Sequence, residues 1–106
     1  MRQVAVYASA VGMHLLGCHV TVNMAREPDW PYGATYGKGR LTFNLSRYGR
    51  RFFEQGITDD VNRLLVHEFA HHYEADHLSE RYYDALADLG ARLARLALDM
   101  PDLFRP

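Results

Sequence analysis

The amino-acid sequence predicts an α+β domain, a small antiparallel three-stranded sheet with helices packed on one face. Three observations carry this. Val4, Tyr7, Ala8, Val11 and Leu15 recur at helical spacing, the period drops to two between His19 and Leu45, and helical spacing returns from Thr58 to Asp99. A helix, three strands and then further helices is the order of an α+β fold.

The first helix covers Arg2 to Leu16, and Gly17 follows where helices commonly stop. His19 to Met24 reads as a half-buried strand, with Val20, Val22 and Met24 on one side. Glu27, Pro28, Asp29, Trp30 and Pro31 break regular structure and form a surface loop. Tyr32 to Tyr36 and Arg40 to Leu45 flank Gly37-Lys38-Gly39 as the arms of a hairpin. Ser46 caps a short helix that runs to about Glu54 and ends at Gly56. The clearest helix starts at Thr58 or Asp59 and carries an apolar stripe of Val61, Leu64, Leu65 and Phe69. A last helix opens after Ser79 and runs to about Asp99, with Tyr82, Leu86, Leu89, Leu93 and Leu96 along one side and Pro101 beyond its end.

With 106 residues, 48% of them hydrophobic, and no linker or repeat, residues 1–106 read as one domain that buries a modest core without disulfide staples. The net charge of −1 gives no argument for a polyanionic partner. Arg47, Arg50 and Arg51 make a local basic cluster, best read as a solvated helix face, so nucleic acid is not expected as a partner. No stretch approaches the roughly twenty apolar residues of a membrane span, and no membrane association is expected. The single Cys18 cannot form an internal bridge, which agrees with the cytoplasm. Leu15-Leu16-Gly17-Cys18 loosely imitates a lipoprotein cleavage site, but Ser9, Gly12 and His14 interrupt the apolar run before it.

Chemistry enters with His67-Glu68-Phe69-Ala70-His71, a HExxH motif inside the clearest helix. Four residues turn a helix by about 400°, so both imidazoles stand on one face and can grip one Zn2+. Glu68 lies beside them, able to take a proton from a metal-activated water without being a ligand. A catalytic zinc also needs a third protein ligand. On an unbroken helix Glu74 would fall on the right face, whereas His77 reaches the metal only if the chain turns back. Asp76 as a turn former and Ser79 as the next cap supply such a turn. His72 faces sideways. Asp76, Glu80 and Asp84 are candidates to orient a ligand imidazole, and Tyr36, Tyr73, Tyr82 or Tyr83 to donate to an oxyanion.

His67-Glu68-x-x-His71-x5-His77 followed by Leu78-Ser79-Glu80-Arg81-Tyr82-Tyr83, with the strand Gly39 to Leu45 before it, resembles the SprT-like and minigluzincin zinc metallopeptidases. The resemblance covers residues 32 to 98. It implies a zincin-like active-site helix, one zinc held by His67, His71 and His77, and Glu68 as general base. The metzincin pattern fits less well, because Glu74 occupies its glycine position and no methionine-turn segment follows. The expected function is zinc-dependent hydrolysis of a peptide or protein substrate, bound along Arg40 to Leu45 if that is an exposed edge strand. The rival expectation is a non-catalytic zinc-binding domain that serves as a protein-interaction module, since a short chain has little material for cleft walls.

Overall fold

The computed structural model describes residues 2–76 and 78–105, Arg50 by its backbone alone. Helix α1 spans Arg2–Leu16, strands β1, β2 and β3 span Thr21–Ala25, Ala34–Gly37 and Arg40–Asn44, and helices α2, α3 and α4 span Leu45–Glu54, Asp59–Ala70 and Glu80–Asp99. A 3₁₀ turn at Pro101–Phe104 follows and returns Phe104 edge-on to Tyr7, with ring centroids 5.5 Å apart. This is the expected α+β class. Among the described residues no helix is long and apolar enough to cross a membrane.

The sheet is mixed rather than wholly antiparallel. β2 pairs antiparallel to β3 through the two-residue turn Lys38-Gly39, but β1 pairs parallel to β3, with Thr21 opposite Arg40 and Ala25 opposite Asn44. Alternation of apolar and polar residues is the same in either direction, so it carries no sign of strand polarity. The strand order β1-β3-β2 also overturns the expectation that Arg40 to Leu45 forms an exposed edge. Both sides of β3 are paired, and the outer strands are β1 and β2.

In this register Val22, Met24, Ala34, Tyr36, Leu41 and Phe43 share the face that packs against the core, while Thr21 and Asn23 are exposed on the other. The central strand buries Leu41 and Phe43 completely. Val4, Val11 and Leu15 of α1, Val61, Leu65 and Phe69 of α3, and Tyr82 and Leu89 of α4 complete one core against that face. Gly12 lets α1 come close to the motif helix. A β-carbon there would lie 2.6 Å from a Val20 methyl and 3.1 Å from the Phe69 ring, well inside van der Waals contact.

Asn44, not Ser46, caps α2. Both are good capping residues, but Asn44 is buried and accepts from the Ser46 and Glu27 amides while donating to the Glu27 and Tyr32 carbonyls at 2.9–3.1 Å. One amide thereby ties the loop after β1, the entry to β2 and the start of α2. Helix α2 is broken at Gly49, with φ 71° and ψ 168°, a region only glycine enters without strain. The break separates a first turn carrying Tyr48 from a second carrying Phe52 and Phe53.

Candidate active site

Helix α3 presents the motif. Thr58 caps it by accepting from the Val61 amide at 3.1 Å, and Asp59 and Asp60 sit at the positive end of its dipole. Val61, Leu65 and Phe69 are buried, whereas Leu64, expected in the core stripe, is only half-buried and lines a cleft. Regular α3 ends at Ala70, so His71 is its cap, but its φ of −66° and ψ of −16° are still helical. The 400° relation therefore holds: the His67 and His71 rings lie on the same side, centroids 5.5 Å apart and nearly perpendicular. Two imidazoles on one tetrahedral zinc, with Zn–N distances of 2.0–2.1 Å, have centroids about 5 Å apart. The observed ring separation is close to that spacing.

Hydrogen bonds fix which ring nitrogen carries the lone pair. His71 Nδ1 lies 3.1 Å from the Glu74 carbonyl, which can only accept, so Nδ1 is protonated and the lone pair is on Nε2. Tyr82 hydroxyl lies 2.9 Å from the His67 carbonyl and 3.0 Å from His67 Nδ1. Its one proton goes to the carbonyl, so its oxygen accepts from Nδ1–H and leaves the His67 lone pair on Nε2 as well. In these tautomers Nε2 is the nitrogen of each ring that could ligate a metal, and the contacts at Nδ1 are of the kind that orient ligand histidines. Tyr82 reaches His67 because Ser79 caps α4 by accepting from the Tyr82 amide at 3.1 Å. The turn before it is built as the sequence predicts: Asp76 accepts from the Leu78 amide through its carboxylate and from Ser79 through its carbonyl.

Glu68 is 6% exposed, and its carboxylate lies 3.7 Å from His67 Nε2. Burial pushes its pKa up to about 7, because a low-dielectric site penalises the charged form. A divalent cation beside it would favour the carboxylate and lower that value. Tyr82 is likewise pushed up to about 12, first by burial and then by the Glu68 charge, so its hydroxyl stays protonated across the physiological range.

Glu74 does not converge on the imidazole pair. Its carboxylate accepts from the Asp76 amide at 3.2 Å and its carbonyl orients His71. Among the described residues no group of three or more His, Cys, Asp or Glu has the geometry to hold a metal. His77, the third ligand implied by the resemblance, lies outside the described residues. His72 faces sideways as expected, its Nδ1 2.9 Å from the Tyr36 hydroxyl. Of the remaining tyrosines, Tyr73 accepts from Arg92 at 3.3 Å and Tyr83 is exposed. Asp76 spends its carboxylate on the turn, so the orienting work falls to Tyr82 and the Glu74 carbonyl.

The histidine pair opens into a cleft of about 740 Å3 between α3, α2 and β2. Glu68, His67 and His71 line it together with Tyr48 and Phe52, two side chains that sequence reasoning did not connect to the site. Their one local signal is the aromatic-glycine step Tyr48-Gly49, where the helix breaks. No family model, curated protein or solved structure matches the chain. The functional reading therefore rests on the motif and its geometry.

Proposed function

We propose that the chain is a small zinc-dependent peptidase of the SprT-like and minigluzincin kind, with His67, His71 and His77 as metal ligands and Glu68 as general base. The observation that supports this most is the pairing of two imidazoles, both with the lone pair on Nε2, with a buried carboxylate in one cleft. Zinc held there would supply Lewis acidity, bringing the pKa of water towards neutrality and polarising a peptide carbonyl. Glu68 takes the proton of the attacking water on a carboxylate oxygen and returns it to the amine that leaves. With a divalent cation beside it Glu68 would be held as the carboxylate, the form that can accept that proton. Tyr82 and the Glu74 carbonyl hold the imidazoles in place.

The peptide would lie along the outer side of β2. Gly33 accepts from the Asn44 amide at 2.7 Å, so by antiparallel alternation Ala34 and Tyr36 turn their main-chain groups away from β3. β2 lines the cleft, and strand addition there would set the backbone of the guest beside the motif. The cytoplasm remains the proposed location, in keeping with the unbridged Cys18.

Metal analysis of the purified chain, paired with digestion of a broad peptide library, tests the reading. About one zinc per chain with cleavage that Glu68→Gln abolishes is the expected result. Stoichiometric zinc without cleavage would replace the peptidase by a zinc-binding interaction module, and a chain that refuses zinc removes both.

A further inference from the structure

Helix α4 has two apolar sides, and the core covers one of them. Tyr82, Leu89 and Leu96 are buried. About 140° around the helix from these, Tyr83, Ala87, Gly90, Ala94 and Leu98 fall within about 80° of arc, and all are exposed. Tyr83 and Leu98, the large members, are 59% and 73% exposed and stand at the two ends of the row. Between them the row is glycine and alanine, without a charge. The solvent side of a helix is ordinarily polar, and a glycine inside an exposed helix destabilises it. Nothing within the chain calls for glycine at position 90, since a β-carbon there would meet no atom within 4 Å. A row that is small in the middle and large at its ends suits a second helix, whose axis can approach to about 8 Å where the side chains are small.

The charges beside the row identify that second helix. Arg81, Asp84, Asp88, Arg92, Arg95 and Asp99 line one flank, all exposed. Read from the other end with the signs exchanged, their order is unchanged. An antiparallel copy of α4, related by a two-fold axis near Gly90 and Ala91, therefore sets Arg81 of one chain beside Asp99 of the other, Asp84 beside Arg95 and Asp88 beside Arg92. Every pair is of opposite charge, whereas a parallel copy would set each charge beside its like. The same register puts Tyr83 against Leu98 and Ala87 against Ala94, so large residues meet at the ends and small ones in the middle. Arg92 already holds Asp88 at 3.0 Å and the Leu15 carbonyl at 3.1 Å. Asp84 and Arg95 lie nearer the row and carry most of the discrimination between the two directions.

From this pattern we propose that the chain forms a two-fold homodimer through antiparallel packing of α4 on α4. A single helix pair is a small interface, under about 1,200 Å2, so the dimer is weak, with a dissociation constant roughly in the micromolar range. No described residue of α4 lines the cleft, so both clefts stay open and the proposal stands apart from the peptidase reading.

Sedimentation equilibrium of the full chain from about 1 to 500 µM, a range that brackets such a constant, tests it. A reversible equilibrium between monomer and dimer is expected. Gly90→Arg brings two like charges together at the two-fold axis while raising helix propensity, and should leave the chain monomeric throughout with a cooperative circular-dichroism melt. Asp84→Arg and Arg95→Asp should each raise the dissociation constant by about fivefold or more, because each change acts twice in a two-fold dimer. Combined, they should return it to within about twofold of wild type. A chain that stays monomeric to the top of the range leaves the face to some other occupant and overturns the proposal. So does a dimer that survives Gly90→Arg, and so do single reversals that change nothing or that the double variant does not repair.

Discussion

The two walls of the cleft are assembled by different means. The α3 wall gets its geometry locally: one helical turn sets His67 against His71, and contacts from Glu74 and Tyr82, three and fifteen residues away, lock the rings. The wall of β2 and α2 depends on pairings across the chain, through the β3 ladder, the buried Asn44 amide and the break at Gly49. On the proposed function the first wall would carry the chemistry and the second the fit. Changes to the first should alter rate or metal with the fold intact, and changes to the second should alter stability and selectivity.

The largest effect expected is on the first wall. Glu68→Gln should lower kcat by about 10²–10⁴-fold or more while zinc content stays near one per chain, the range typical for loss of a positioned acid-base group. Activity lost together with zinc would instead make Glu68 part of the metal-holding set.

Next comes pH. In the metal-free chain Glu68 has a pKa raised from 4.5 to about 7 by burial, so its neutral form is favoured in the folded state. That contribution is complete below the unfolded value and is lost as pH rises through about 7, for a total of ~3 kcal/mol. Urea midpoints of metal-free protein between pH 4.5 and 8 should fall with rising pH, and the Glu68→Gln chain should lack that component. Equal slopes for the two chains would show that the carboxylate is not desolvated in solution.

On the second wall, Asn44→Ala orphans two amides and two carbonyls, and should cost about 2–3 kcal/mol in urea unfolding without changing zinc content. A variant that unfolds like wild type but loses zinc would erase the division between the walls. The smallest expected effect is that of Tyr82→Phe, which removes one hydroxyl beside His67 and should weaken zinc binding by about 10–100-fold, read by competition with a chelator.

The same contrast explains what the sequence revealed. The limits of α1, α3 and α4 follow from residues at their ends, so Gly17, Thr58 and Ser79 announced them. HExxH was legible because its geometry is that of a single helical turn. The direction of β1 and the central place of β3 were not, because alternation marks faces and says nothing about polarity or neighbours. That is why the sequence suggests an outer strand at Arg40 to Leu45, whereas the outer strands are β1 and β2. Asn44 and Ser46 are equally good caps on paper, and only the burial of Asn44 separates them. Tyr48 and Phe52 were passed over because what brings them to Glu68 is a helix break and a sheet order, neither of which has a local pattern.

β2 has only four residues, a length of roughly 13 Å. With outward main-chain groups at two of them, it would pair with no more than a tri- or tetrapeptide stretch if a substrate added there as proposed. Such a short handhold would discriminate by availability as much as by side chain: frayed termini and unstructured loops could enter, and residues locked in someone else's helix or sheet could not.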